Sequence, residues 1–504
     1  MTFMFDLLAR RRLLVLLVLA ALPRLGLAWF EHGVNHPDEI FQMLEPAHRW
    51  VYGYGIQSWE FQDGARSWLL PGLIALLWKG LALLGLSDPL TVVPLLRLPF
   101  VALTVYGVYL ASRLASRFAG ETAGDLAALL AAFTPLALLL DFRTTAEAAS
   151  APVVLLALLW MVDGKLARAG ACLALLVFLR PTNAIVGLGA VGWLLFVGRF
   201  RDTARLALGM LPVTVAGGLF DWITWGGPFH HLVEYLRFNW AEGGAELFGV
   251  QGAWMYLSIL LVTAPLLVLL LLPATVILIR RAHDAHGPLV VAGFYLLVHS
   301  AIGHKEPRFL LPVLPLLAAL TAAGMVSRFG PWIGRHVTAP RTRRSMAVVG
   351  AAAVALMGMA TARGLTYQDV QEPRGEAQDR VLFGTRDSLN RMLAEAGRRP
   401  DLCGMLILGL VPNEMFSGGT TYLNRDVLLT SPTSRQMWLL FSQAANYAVS
   451  APAVLPPGWH RVAQQNGVAL VTRPSGCVSL PEEYRPKAKR PQTGPSSGSP
   501  AGGH

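Results

Sequence analysis

The sequence predicts an α-helical, polytopic membrane protein, and three observations predict it. The chain of 504 residues is 54% hydrophobic and 14% charged, with a mean hydropathy of +0.48; soluble domains carry about 25% charged residues. The apolar residues are blocked rather than dispersed. Stretches 13–28, 151–162, 257–279 and 309–325 are nearly free of charge, and a helix needs about 20 apolar residues to cross the hydrocarbon core. The period-2 alternation of a membrane β-barrel is absent. The net charge of +11 does not ask for a nucleic-acid partner. The basic residues fall mostly in short loops between spans, where they act as topology signals. No basic stretch is interleaved with aromatics as in a single-strand-binding groove.

Taken in order, the spans follow from placing Arg10, Arg11 and Arg12 inside. The core 13–29 then exits. Gly26-Leu27-Ala28 is a passable cleavage site, so a signal peptide is the alternative. Arg24 interrupts the apolar run just before that site and a motif-rich loop follows at once, so 13–29 reads as an uncleaved span. The segment 31–71 is polar, aromatic-rich and outside. The run 71–86 is short, with Lys79 in its middle, and reads as a helix lying on the outer surface. Cores 91–112, 123–140, 151–162, 169–179, 184–197, 206–220, 256–279, 288–302, 309–325 and 347–360 then alternate in direction. They leave Arg113, Arg117, Lys165, Arg168, Arg199, Arg201, Arg205, Arg280, Arg281, Arg328, Arg335, Arg341, Arg343 and Arg344 inside. The expectation is about eleven spans, with every motif-bearing segment outside. That sidedness follows from Lys and Arg placement; a true span at 71–86 would reverse it.

From about residue 363 Gly, Pro, Asp, Arg and Gln become frequent. Apolar runs at 404–411, 426–430, 447–455 and 467–472 look like strands bounded by turn residues. A membrane domain over 1–362 is therefore followed by a small outer α/β domain over 363–486, about 120 residues long. The Pro/Ser/Gly-rich tail 487–504 reads as disordered. Cys172 lies inside a span and reads as a packing residue. Cys403 and Cys477 fall in the outer domain, where a disulfide or two free thiols are both open. Their spacing fits no zinc motif.

The first outer loop, within 30–90, runs Asn35-His36-Pro37-Asp38-Glu39-Ile40-Phe41-Gln42-Met43-Leu44-Glu45-Pro46-Ala47-His48. Tyr52-Gly53-Tyr54-Gly55, Ser58-Trp59-Glu60 and Arg66-Ser67 follow. Two adjacent carboxylates, Asp38 and Glu39, thus stand just after a span. They either cap a helix beginning near Ile40 or do chemistry. One carboxylate within hydrogen-bond reach can relieve an attacking hydroxyl of its proton.

The loop resembles the first lumenal loop of glycosyltransferase family 22, the dolichyl-phosphate-mannose-dependent mannosyltransferases of GPI-anchor and N-glycan assembly. The resemblance implies the multi-spanning GT-C fold and an inverting transfer of mannose from a polyprenyl-phosphate donor. It implies Asp38 as base, with Glu39 orienting the acceptor or the loop. His36, Gln42, Glu45, His48, Trp59, Glu60 and Arg66 come with the motif as substrate-binding residues.

Further segments follow in the family's order over roughly residues 10–330. Arg143-Thr144-Thr145-Ala146-Glu147 is similar to a family segment but lacks its Asn and shortens the spacing to the Glu. Glu147 is therefore open between acceptor binding and a capped helix start. Phe178-Leu179-Arg180-Pro181-Thr182 carries the family's Arg-Pro-Thr; Arg180 either meets a lipid phosphate or snorkels. Asp221 with Trp225-Gly226, and Asn239 between Phe238 and Trp240, resemble the family's outer loop at 221–254 and add two substrate-binding candidates. Trp254 and Tyr256 read as an interfacial aromatic belt. Gly303-His304-Lys305-Glu306-Pro307-Arg308-Phe309, within the loop 303–309, is similar to the family's other hallmark. His304, Lys305 and Arg308 are expected as donor-phosphate ligands, with Glu306 orienting Lys305; the alternative is a charged loop end.

His36, Asp38, His304 and Glu306 could in principle hold zinc or manganese. There is no H-E-x-x-H, and Lys305 and Arg308 would repel a cation, so neither metal nor other cofactor is expected. The partners implied are a polyprenyl-phosphate sugar donor, a glycan or glycolipid acceptor and the bilayer, with no nucleic acid. A composition rich in Ala, Leu, Arg and Gly suggests a bacterial source, hence an inner or plasma membrane with the site on its extracytoplasmic face. The rivals are a GT-C transferase of another sugar, such as arabinose, and a lipid or glycolipid transporter. A transporter should show paired broken spans with midplane charges, whereas here the charges crowd one interface.

Overall fold

The computed structural model describes residues 2–337, 339–364, 385–409, 417–451, 454–474 and 476–479. The expected tail 487–504, the end of the 404–411 run and the segment 365–384 after the expected domain boundary lie outside the described residues.

Each of the eleven apolar cores coincides with helix. By length and composition, four helices among the described residues can cross a membrane: Arg11–Phe30, Pro89–Ala119, Phe200–Trp225 and Leu314–His336. A fifth is possible if Met255–Thr263 and Pro265–Arg281, bent by 114° at their junction, form one span. The expectation of about eleven crossings therefore exceeds what helix length supports, and prolines account for part of the difference. The core 123–140 is divided into Glu121–Phe133 and Pro135–Leu140, because Pro135 lacks an N–H and disfavours helical geometry at Thr134. Pro265 interrupts 256–279 in the same way. Leu166–Leu179 has 14 residues, about 21 Å at 1.5 Å each, short of a hydrocarbon core of about 30 Å. The run 71–86 is helix Leu69–Leu83, with Trp78 buried and Leu73, Leu76 and Leu83 exposed.

Small residues let these helices touch. A Cβ on Gly209 would lie 1.9 Å from the Ala167 carbonyl oxygen, so the helices Phe200–Trp225 and Leu166–Leu179 meet backbone to backbone, as membrane helices do through Gly and Ala. A buried charge inside a helix is paired at Arg24. Arg24 (0% exposed) bonds the Asp141 carboxylate through Nε at 3.0 Å and Nη2 at 2.7 Å, and the Ala20 carbonyl at 2.9 Å.

The C-terminal part contains a five-stranded sheet: β1 Gly404–Leu408, β2 Leu428–Thr430, β3 Tyr447–Ser450, β4 His460–Gln465 and β5 Val468–Thr472. The spatial order is β2-β1-β3-β5-β4. β1 runs parallel to β2 and β3, with Met405 opposite Tyr447, while β5 is antiparallel to β3 and β4. Four strands fall on the expected apolar runs. β4 does not, because His460–Gln465 is a mostly exposed edge with no apolar run to betray it. Cys403 and Cys477 are joined by a disulfide, with Cα atoms 5.8 Å apart.

This sheet shares a hydrophobic core with the first loop. Ile40, Leu44 and Trp78 belong to the same buried cluster as Leu389, Leu393, Tyr422, Met405 and Leu470. The loop is thus held from two sides, by the helical bundle and by the C-terminal unit.

Candidate active site

The first loop folds into a π-helical turn, Glu39–Leu44, continuing as α-helix Glu45–Tyr52 and stopping at Gly53 with φ 82°. That left-handed stop suits glycine. Wide turns of this kind are rare and cluster at functional sites. Here the turn sends Asp38 and Glu39 to opposite tasks.

Glu39 is 0% exposed. Its Oε1 accepts from Arg97 Nε at 3.1 Å and Nη2 at 2.8 Å, and its Oε2 from Arg143 Nη1 at 2.7 Å. Burial pushes its carboxyl up, but Arg97 and Arg143 outweigh that and hold it below its ordinary value. Of the two roles expected for Glu39, fixing the loop is the one this geometry serves; an acceptor cannot reach it. Arg97 was not legible as a partner, although a charge inside an apolar span is a signal.

Asp38 keeps an open side, its side chain 18% exposed. Its Oδ2 accepts from Arg308 Nη2 at 2.5 Å. Burial raises its carboxyl, and Arg308 chiefly holds it below the ordinary value, against Glu306. The Asp38 N–H donates to His36 Nδ1 at 3.1 Å. That leaves the His36 Nε2–H to donate to Glu306 Oε2 at 2.9 Å.

Arg308 is the hub. It also bonds Glu306 through Nε, and its Nη1 lies in an ion pair 2.9 Å from Glu147 without hydrogen-bond geometry. Glu147 in turn pairs with Arg180, whose guanidinium lies 4.3 Å from the Phe309 ring centroid. Burial pushes the Glu306 carboxyl up, but Arg308 first, and then His36 and the His304 hydrogen bond, hold it well below its usual range. His304 faces two acceptors, the Gly249 carbonyl at 3.1 Å and Glu306 Oε1 at 2.8 Å. Residues from four separated segments thus form one ionic cluster: His36, Asp38, Glu147, Arg180, His304, Glu306 and Arg308. Among the described residues no group of three His, Cys, Asp or Glu side chains is disposed to hold a metal ion.

Several expected assignments are corrected. Glu306 does not orient Lys305; it binds His36, His304 and Arg308. Lys305 is 1% exposed, and its ammonium donates to the backbone carbonyls of Gln251, at 2.9 Å, and Ile302. In this arrangement it staples the 249–254 loop rather than awaiting a phosphate. Glu45, 0% exposed, accepts from the Thr421 N–H at 2.6 Å and the Ile56 N–H at 2.9 Å. It therefore clamps the C-terminal unit. His48 is equally buried and bonds the Tyr54 carbonyl and Asn424. Asn239 donates to the Tyr235 carbonyl of its own turn, and Trp59 lies against Phe238, with centroids 4.2 Å apart. Asp221, 0% exposed, holds His231 rather than facing a cleft. Gln42, Glu60 and Arg66 do flank the cluster. Gln42 Nε2 bonds Glu60 at 3.0 Å, and Arg66 Nη2 lies 4.0 Å from Glu60. Burial pushes the Glu60 carboxyl up, with Arg66 opposing and nearby Asp38 reinforcing.

The Glu45 clamp carries a pH signature. Burial pushes this carboxyl from 4.5 to about 7, against the pull of the Thr421 and Ile56 N–H groups. Below pH 4.5 it is protonated both folded and unfolded, and its contribution is fully present. As pH rises through 7 the unfolded chain ionises first, and about 3 kcal/mol is lost. Glu31 is raised to about 7 as well. Glu45→Gln should therefore reduce, without abolishing, the fall in melting temperature between pH 5 and 7.5. An unchanged fall in the variant would show that Glu45 is not a source of it.

The model of the Alg9-like mannosyltransferase family matches residues 14–373. GPI mannosyltransferase 3 of Yarrowia lipolytica is 34% identical over 322 residues, 60% of this chain and 60% of that protein. Mannosyltransferase APTG1 of Arabidopsis thaliana is 28% identical over 297 residues, 56% of this chain and 53% of that protein. The chain thus matches little more than half the length of these relatives. They are eukaryotic, and so give no support to the bacterial source and bacterial membrane expected from composition. In three dimensions the chain is similar to ArnT from Cupriavidus metallidurans bound to undecaprenyl phosphate. The TM-score is 0.61 at 16% identity, covering 91% of this chain and 97% of that one. That likeness shows the GT-C fold, and with the apolar helices it makes the chain an integral membrane protein.

Proposed function

The chain belongs to the Alg9-like mannosyltransferase family, and on that premise we propose that it transfers mannose from a polyprenyl-phosphate-mannose donor to a hydroxyl of a glycan or glycolipid acceptor at the outer face of its membrane. The observation that carries this reading is the division of labour in the first loop. Glu39 and Glu45 are sealed in ion pairs and hydrogen bonds, while Asp38 alone of the three keeps an open side, against the Arg308 guanidinium.

In the proposed step the Asp38 carboxylate takes the proton of the acceptor hydroxyl as that oxygen bonds the anomeric carbon. The bond from that carbon to the phosphate oxygen breaks on the opposite face, and its electron pair leaves with the phosphate, inverting the centre. A base must be ionised to act, and Arg308 favours the ionised form of Asp38 against burial. We assign the leaving phosphate to Arg308, His304 and Arg180, whose positive charge matches the charge that develops. Glu147 and Glu306 already engage these cations, so the phosphate must displace part of that carboxylate contact. No metal is used in this step.

The test is sugar release from synthetic polyprenyl-phosphate mannose by the protein reconstituted in vesicles. Mannose transfer or slow donor hydrolysis is expected, unchanged by EDTA. Release from a polyprenyl-phosphate arabinose instead would replace mannose by the rival sugar. Lipid movement across the bilayer with no sugar released would favour a transporter.

A further inference from the structure

The transfer step leaves one face of the first loop unused. In the helix Glu45–Tyr52, Glu45 and His48 hold the C-terminal unit through Thr421 and Asn424. Pro46, Arg49 and Trp50, at helical spacings of three and four, form another face. That face borders an open cleft of about 250 Å³, whose other walls include Ile56, Phe61 and Trp68. One water needs about 15 Å³, so the cleft has room for a ligand. Trp50 is 56% exposed beside it.

The walls select the ligand. They are apolar except for Arg49 and Gln57, and the Gln57 amide already donates to the Phe61 carbonyl at 2.9 Å. A sugar would leave hydroxyls there without partners, at a cost; a hydrocarbon chain would not. Arg49 is exposed. Its Nη1 donates to the Gly55 carbonyl at 2.9 Å, and among the described residues no carboxylate pairs with it. A cation without a counter-ion beside an apolar cleft matches a phosphate joined to a hydrocarbon chain. The neighbouring helix has the same character. Leu69–Leu83 starts at the residue after Trp68 and exposes Leu73, Leu76 and Leu83, while its Trp78 packs on His48. Lys79 in that helix is exposed too and, among the described residues, has no carboxylate partner. Helices with leucines and cations exposed in this way lie in the membrane interface, between acyl chains and phosphates.

We propose that this cleft binds a phospholipid of the surrounding bilayer, with the lipid phosphate on Arg49 and one acyl chain along Trp50, Phe61 and Trp68. A bilayer lipid fits better than the donor, whose single phosphate is assigned to Arg308, His304 and Arg180. The lipid gives the loop that carries Asp38 a third hold, on a face that the C-terminal unit leaves free. The inference stands on the membrane placement of the chain and does not need the transfer step.

The test measures lipid binding to the full chain in detergent micelles with two probes: phosphatidylglycerol, and dioleoylglycerol, which lacks the phosphate. Arg49→Gln should weaken phosphatidylglycerol about fivefold, the worth of one cation at a lipid phosphate, and leave dioleoylglycerol unchanged. Trp50→Ala should weaken both. Both side chains are exposed, so the fold should survive, which the melting temperature checks. The wild type, which carries no folding risk, is also labelled with phosphatidylglycerol bearing a diazirine in its acyl chain. Adducts are expected within residues 46–68. They should fade with excess unlabelled phosphatidylglycerol and persist with excess polyprenyl phosphate. Unchanged phosphatidylglycerol affinity in either folded variant overturns the inference, as does labelling of the cleft that excess phosphatidylglycerol leaves in place. Labelling removed by polyprenyl phosphate would give the cleft to a substrate lipid and overturn it as well.

Discussion

Asp38→Asn should lower the rate of mannose transfer by about 10²–10⁴, the span of a single general base, while donor affinity stays within about twofold. The substitution keeps the shape of the side chain and removes its charge and basicity. The fold should survive, because Arg308 retains Glu147 and Glu306 and Glu39 continues to hold the loop on Arg97 and Arg143. Single-turnover transfer and equilibrium donor binding, measured on one preparation, separate chemistry from binding. A variant that keeps more than a tenth of the wild-type rate would remove Asp38 from the step and turn attention to Glu147, the neighbouring acid on Arg308. Glu39 is no alternative, since its carboxylate is enclosed by two guanidinium groups.

Arg308→Gln should have the second largest effect, through two routes that pH separates. Loss of a charge that meets the leaving phosphate costs about 10²–10³ in rate. The same guanidinium is the largest influence holding Asp38 below its ordinary value. Removing it raises the Asp38 carboxyl, so the acid limb of the rate profile should move to higher pH. A purely structural role would lower the rate at every pH and leave the limb where it was, and that outcome would refute the assignment. The variant should also melt earlier, because Asp38, Glu147 and Glu306 are left facing one another without their shared cation. Arg308→Lys restores a charge but not the three-way fork of contacts, so it should recover the position of the acid limb better than the rate.

Much of this site was legible in the sequence. The His36–His48 and His304–Arg308 segments are about 260 residues apart, and the fold brings their His36, Asp38, Glu306 and Arg308 side chains into contact. What the sequence could not separate was chemistry from support within one motif. Asp38 and Glu39 are adjacent carboxylates, and only the direction of a π-helical turn makes one open and the other sealed. Glu45 and His48 share the motif because their partners, Thr421 and Asn424, lie in a segment whose own pattern is weak. His231 escaped notice because its partner Asp221 sits ten residues away across a chain reversal at Gly226. On the side of the fold, the apolar cores predicted where helices lie but not how long they run unbroken. Pro135 and Pro265 interrupt cores that hydropathy alone treats as continuous.

The clamp between Glu45 and Thr421 joins residues 376 positions apart in the chain. At a synthesis rate of about 5–20 residues per second, the first loop leaves the ribosome roughly 20–75 s before its partner exists. Throughout that interval the Glu45 carboxylate must rely on water or on the Ile56 N–H, and the core shared by Ile40, Trp78, Leu393 and Tyr422 is unfinished. The loop that carries Asp38 therefore acquires its finished shape only after the segment carrying Thr421 has been made.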